Sequence, residues 1–218
     1  MVRGGLPPPC PLVFASNHPT TLDPLLLQSV VGRRLCLLIL GAVFRVPILG
    51  RLLAAVGHIP VVAGEGQRAV SAAVAALGSG ASVGIFPEGC ISPDGGLSPL
   101  RTGAARIAAA AGVPIVPVGI WQDLDATLTV NTKVGGVQER GRFNLAGRCV
   151  IEFGRPLRFD VGPGDREGIR QATAVLESEI KRLAARCKAI GLEAKRARGL
   201  WPRGLWPLGR KLVAAPSF

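Results

Sequence analysis

The chain has 218 residues, 48% hydrophobic and 18% charged, enough for one substantial core and too apolar for a disordered protein. Its net charge is +12, but residues 181–218 hold ten basic residues against one acidic residue, Glu193, so the tail is the cation. That confinement, the absence of tyrosine and the lack of a stacking motif argue against a nucleic-acid-binding module.

Five scattered cysteines (Cys10, Cys36, Cys90, Cys149, Cys187) fit neither a disulfide framework nor metal-ligand spacing. No basic-then-apolar leader opens the chain. A membrane span needs about 20 apolar residues. Leu35–Phe44 is bracketed by Arg34 and Arg45, and Ala69–Pro87 is broken by Gly78, Ser79 and Gly80. The expectation is a soluble or peripheral protein.

Residues 1–11, with Gly4-Gly5 and Pro7-Pro8-Pro9, read as an extended or loose leader. Leu12–Ala15 reads as a buried strand, followed by Asn17-His18-Pro19-Thr20-Thr21-Leu22-Asp23-Pro24. Asp23 suits a helix N-cap and Pro24 the first helical position, so a helix is predicted from Asp23 to Val31. Leu35–Leu40 is a second buried strand, residues 46–56 a helix with Pro47 near its first turn, and 58–62 a short strand carrying His58, read as a strand-edge residue.

A small-residue helix is predicted over Gln67–Leu77 and a strand over Ser82–Phe86, running into Pro87-Glu88-Gly89. Pro93-Asp94-Gly95-Gly96 signals a turn. Gly103–Ala111 reads as a helix and Val113–Ile120 as a strand; residues 121–147 show no clean period, and Cys149–Phe153 is a last strand.

This alternation predicts an α/β layered domain with a mainly parallel central sheet flanked by helices, over 1–164. From Asp165, Ile169, Thr173, Leu176, Ile180, Leu183, Cys187 and Ile190 recur at helical spacing, an amphipathic helix over 165–194 packed on the domain. Residues 195–218 form a basic tail in which Leu200-Trp201-Pro202 and Leu205-Trp206-Pro207 suit an interfacial anchor.

In parallel sheets chemistry gathers outside the carboxyl ends of the strands. Two candidate stretches follow strands directly. An imidazole hydrogen-bonded to a carboxylate has its tautomer fixed and its charged form stabilised, which suits a general base for a hydroxyl. Taken alone, His18 and Asp23 at this spacing would more often be structural, and Glu88 would read as a loop carboxylate.

Together, Asn17-His18-Pro19-Thr20-Thr21-Leu22-Asp23, Phe86-Pro87-Glu88-Gly89 and Val113-Pro114-Ile115-Val116-Pro117-Val118 resemble the glycerolipid acyltransferase family, whose bacterial members acylate lysophosphatidate. The resemblance runs from Leu12 to Leu157, and Phe44–Val61 looks like the family's second block. It implies that His18 takes the proton of an acceptor hydroxyl while Asp23 holds the imidazole. It further implies that Glu88 and Gly89, with Phe86 and Pro87, help bind the acceptor. The donor would be acyl-CoA or acyl-carrier protein as co-substrate, with no metal and no bound organic cofactor.

Two departures stand out. Many relatives place an arginine just after the Ile-Pro-Val strand, where this chain has Val62-Ala63. They also continue Glu-Gly as Thr-Arg-Ser, where this chain reads Cys90-Ile91-Ser92. Arg68 and Arg101 are the candidate replacements for contact with the acceptor phosphate.

The reading is therefore an O-acyltransferase acting on a lysophospholipid, foremost 1-acylglycerol-3-phosphate giving phosphatidate. It would sit at the cell membrane, peripheral on the cytoplasmic side, with the membrane surface as a partner and no nucleic acid. The alternatives are a lipid acceptor lacking a phosphate monoester, or a catalytically inactive membrane- or lipid-binding relative.

Overall fold

The computed structural model describes residues 1–5, 9–92, 96–134, 137–144 and 148–197. Chain order is β1 (Val2–Arg3), β2 (Val13–Ser16), α1 (Asp23–Val31), β3 (Leu35–Leu40), a 3-10 turn (Gly41–Arg45) and α2 (Leu49–Ala55). Then come β4 (Ile59–Val61), α3 (Gly66–Gly78), β5 (Ser82–Ile85), α4 (Gly103–Ala111), β6 (Ile115–Gln122) and a second 3-10 turn (Leu124–Ala126). The hairpin β7 (Thr127–Val134) and β8 (Val137–Asn144), then β9 (Cys149–Phe153) and α5 (Arg166–Arg196) complete the described residues.

Among the described residues, seven strands form one sheet in the order β1-β9-β6-β2-β5-β3-β4, with every neighbouring pair parallel except β6–β9. Strands buried on both faces must be apolar throughout, and all four residues of β2 are buried. Alternate side chains divide between two cores. Val13 and Ala15 join Val70, Ala73, Ala104, Ile107, Leu176 and Ile180 from α3, α4 and α5. Leu12 and Phe14 join Leu26, Leu27, Val30 and Val31 around α1 on the other face.

The connection after β2 runs towards β3, whereas β5 leads back past β2 to β6. The winding reverses beside β2, and α1 and α4 lie on opposite faces of the sheet. Outside the carboxyl end of β2 this leaves the crevice in which such sheets bind ligands.

Helix α5 lies against β6 because Gly119 has no side chain: a Cβ there would stand 2.5 Å from the Leu183 carbonyl carbon. Its first turn is capped by Asp165, whose side chain accepts from the Gly168 amide at 2.9 Å. Further along α5, Gly191 admits the indole of Trp121. Lys195 then ties the helix end to Asp123 at 2.8 Å.

The structure corrects four local expectations. The loose leader contributes β1, paired with β9. The stretch without a period holds the β7–β8 hairpin, whose β8 reads as charged because it stands off the main sheet. The helix expected over 46–56 begins at Leu49 and is preceded by a 3-10 turn, since Pro47 and Ile48 break the helical path. Asp23 is the first residue of α1, not its cap; Leu22 precedes it with no capping side chain. The turn expected at 93–96 lies outside the described residues at 93–95, as do Leu6-Pro7-Pro8 of the leader and residues 198–218 of the tail.

Candidate active site

Ser16 ends β2 at the crevice, and the chain then doubles back so that His18 and Asp23 meet. Nδ1 of His18 donates to Oδ2 of Asp23 at 2.9 Å, which leaves Nε2 as the acceptor nitrogen. The ring of His18 stacks on Phe86, centroids 4.3 Å apart and planes 25° apart, so its tilt is fixed from a second element.

Asp23 is wholly buried. A carboxylate in that position costs several kcal/mol unless its lone pairs are filled. They are filled: besides His18, Oδ2 accepts the Thr20 amide at 2.7 Å, and Oδ1 accepts the Thr20 hydroxyl at 3.0 Å and Nε2 of Gln122. These bonds explain why Asp23 does not cap α1, since its oxygens are turned back into the preceding loop.

The Phe86-Pro87-Glu88-Gly89 turn leaves β5 beside this loop. Glu88 is buried and both its oxygens serve the protein. Oε1 accepts the His18 amide at 2.8 Å; Oε2 accepts the Ser92 hydroxyl at 2.8 Å and the Ser98 amide at 2.7 Å. The Ser92 amide returns a bond to the His18 carbonyl at 2.9 Å. Glu88 thus clamps the backbone of the residue whose side chain faces the crevice.

Several residues here were given no role from the sequence, Asn17 although it stands in the motif. Asn17 exchanges two bonds with Ile120 of β6, at 2.8 and 2.7 Å, locking the loop to the neighbouring strand. Gln122 reaches Asp23 from that strand's end, and its Oε1 is held by Nδ2 of Asn144 at 2.8 Å. Arg142 of the hairpin is buried and donates to the Ser92 carbonyl at 3.1 Å, while its backbone exchanges bonds with Thr21. The only sequence signal for the hairpin was Gly135-Gly136 between two β-prone runs.

The two candidate arginines are placed differently. Arg101 donates its amide to the Pro87 carbonyl at 2.8 Å, and its guanidinium lies over Gly89, where a Cβ would come within 2.9 Å of Nε. Gly89 also has φ +73°, a backbone region that favours glycine. Arg68 stands on the first turn of α3, 85% exposed, with its guanidinium 3.2 Å from Glu65. It takes no part in the bonds around His18.

His58 is not at the site. Its Nδ1 accepts the Leu37 amide at 3.2 Å, and burial lowers its pKa. Burial, chiefly, pushes the thiol of Cys187 up to about 12 and also raises that of Cys149, so neither is poised as a nucleophilic thiolate. A depression of about 400 Å³ lined by Cys10, Leu77, Ala111, Val113 and Arg158 opens at the amino edge of the sheet, opposite His18. Among the described residues, no helix is long and apolar enough to cross a membrane.

With this geometry in hand, comparisons with known proteins converge. A family model described as Acyltransferase matches residues 4–121. A chloroplastic 1-acyl-sn-glycerol-3-phosphate acyltransferase of Brassica napus is 35% identical over 111 residues, which are 50% of this chain and 32% of that protein. The 1-acyl-sn-glycerol-3-phosphate acyltransferase of Salmonella typhimurium is 29% identical over 110 residues, 49% of this chain and 45% of that one. The matched stretch thus spans less than half the length of either relative. The crystal structure of the 1-acyl-sn-glycerophosphate (LPA) acyltransferase PlsC from Thermotoga maritima superposes with a TM-score of 0.61. It is 21% identical, and the match covers 92% of this chain and 73% of that one, so the fold is shared.

Proposed function

The chain belongs to the acyltransferase family, and from that premise we propose that it moves a fatty acyl group from a thioester to the free hydroxyl of a lysophospholipid. The observation that carries the reading is the 2.9 Å bond from His18 to a fully buried Asp23, which leaves Nε2 facing the crevice as a base. The relatives' acceptor, 1-acyl-sn-glycerol-3-phosphate, is the first candidate, and acyl-CoA or acyl-carrier protein the donor.

In the proposed step, Nε2 of His18 takes the acceptor's hydroxyl proton as its oxygen attacks the thioester carbon. The tetrahedral intermediate collapses, the carbon–sulfur bond breaks, and the departing thiolate receives the proton from the imidazolium. Asp23 keeps Nδ1 protonated throughout and stabilises the imidazolium, the role a carboxylate plays in a Ser-His-Asp triad. The substrate hydroxyl stands where the serine would, so no covalent acyl-enzyme forms. Nothing in this step calls on a metal or an organic cofactor. Glu88 acts by holding the His18 backbone, and Arg101, whose guanidinium lies over Gly89, is a cation placed at this turn for an acceptor phosphate.

One observation favours a second acceptor class. The family resemblance implies arginines in many members where this chain has Val62-Ala63 and Cys90-Ile91, and Arg68 is turned to Glu65. A lipid lacking a phosphate monoester needs fewer cations. Release of free CoA thiol from palmitoyl-CoA, measured against a panel of lysolipids, decides between them. Turnover with lysophosphatidate supports the first reading; turnover only with acceptors lacking the monoester supports the second. No acceptor-dependent turnover with either CoA or carrier-protein donors would sink both. The work is expected at a membrane surface, with the protein peripheral on the cytoplasmic side.

A further inference from the structure

Large apolar side chains are unevenly exposed. Of the thirteen that stand in water among the described residues, six lie between 40 and 62: Leu40, Ile48, Leu49, Leu52, Val56 and Val62. This segment leaves the carboxyl end of β3, the edge that carries His18, and returns through α2 to β4. Leu22 and Leu25, in and just before the first turn of α1, add two more at the same edge.

The exposure is built in. Ile48 has φ 67° and ψ −58°, and the Leu49 amide bonds the Pro47 carbonyl at 2.7 Å. That is the rare, strained γ-turn, occupied here by a β-branched residue for which such a backbone is an outlier. It turns the isoleucine outward, 81% exposed. The other side of the segment is fixed to the protein: Gly50 is buried so closely on the Phe44 carbonyl that a Cβ would overlap it. α2 is thereby held with Leu49 and Leu52 outward.

Charge supplies the occupant. Between Asp23 and Glu65 there is no acidic residue, while Arg33, Arg34, Arg45 and Arg51 lie in that interval. Arg45 and Arg51 are exposed and flank the apolar side chains. An apolar segment that carries Arg45 and Arg51 and no acidic residue, with Glu65 just past its end paired to Arg68, matches a bilayer bearing anionic headgroups, where the apolar groups enter the acyl boundary and the guanidinium groups meet phosphate. Another α-helix or a second copy of the chain would bring no such demand for arginines among the apolar side chains.

We infer that the 40–62 segment, centred on Ile48 and Leu52, is the face by which the protein docks on an anionic phospholipid bilayer, bringing the His18 edge to its lipid acceptor. The inference rests on the proposed use of a lipid acceptor, but its binding test does not require turnover.

Co-sedimentation with phosphatidylcholine vesicles, with and without phosphatidylglycerol, compares wild type with Ile48→Glu/Leu52→Glu and with Val175→Glu. Val175 is the control because it is also an exposed apolar residue, 49% exposed, but on α5. The double variant should lose about tenfold or more in partition to anionic vesicles, and salt should weaken the wild type. Val175→Glu should stay within about twofold of wild type. Acyl transfer to acceptor held in vesicles should fall in parallel, while transfer to a short-chain lysolipid dissolved as monomer should not.

Equal vesicle binding by wild type and double variant would overturn the inference, whatever the activity. So would a wild-type dimer in solution that the double variant dissociates, or loss of binding on removing 198–218 alone. Should the double variant unfold, acrylodan on Ile48→Cys, with Cys10 and Cys90 changed to serine, supplies the independent reading. Its emission should shift to the blue on anionic vesicles, and an unmoved spectrum would equally overturn the inference.

Discussion

Two stretches at the same edge of the sheet invert each other's chemistry. In the first, over 17–23, the polar side chains of Asn17, Thr20 and Asp23 are buried, at most 1% exposed, each with hydrogen-bond partners in the protein. In the second, over 40–62, six large apolar side chains stand exposed, with Ile48 at 81% and Leu52 at 58%. Each is unfavourable by itself: burying polar groups costs energy unless they are bonded, and apolar surface costs energy in water. The first offsets its cost internally, through donors from β6 and the loop after β5. The second has no such compensation among the described residues, and a bilayer would supply it. The lesson is that satisfaction inside the protein marks the part that must stay rigid, while its lack marks the part that meets something else.

Glu88→Ala is expected to break the rigid stretch most severely. It would leave the His18 and Ser98 amides and the Ser92 hydroxyl without their buried acceptor, costing roughly 2–4 kcal/mol. The thermal midpoint should drop and turnover should fall with it. If Glu88 served only to bind acceptor, KM would rise at an unchanged midpoint, which the measured melt and kinetics would reveal.

Ile48→Gly sharpens the other half, with a smaller effect of opposite sign. Glycine adopts positive φ without strain, so the variant should gain up to about 1 kcal/mol in stability. It should meanwhile bind anionic vesicles more weakly, because the outward isoleucine is gone. A variant both more stable and equally well bound would deny that segment its role.

How much of this was legible in the sequence follows the range of the contacts. His18 and Asp23 are five residues apart, so a motif could pair them. The strand–helix alternation likewise announced the parallel sheet, because buried strands and small-residue helices carry their own local patterns. Gln122 lies 99 residues from Asp23, and Asn17 lies 103 from Ile120, and no local pattern encodes such meetings. Glu88 read as a loop carboxylate by itself and as an acceptor-binding residue only through the family resemblance; its protein donors, the His18 and Ser98 amides and the Ser92 hydroxyl, were not legible because a carboxylate after a strand declares nothing about its partners. Asp23 was misread as a helix cap for the same reason. The β7–β8 hairpin escaped because it packs outside the main sheet and lacks a two-sided apolar core. The strain at Ile48 was hidden behind Pro47, which looked like an ordinary helix start.

The proposed transfer depends most directly on His18. Acyl transfer from palmitoyl-CoA to the best acceptor, measured for wild type and for His18→Ala of matched thermal midpoint, tests it most directly. Loss of at least about a hundredfold in turnover is the expected result for removal of a general base. A folded His18→Ala protein that transfers acyl groups at the wild-type rate would contradict the account.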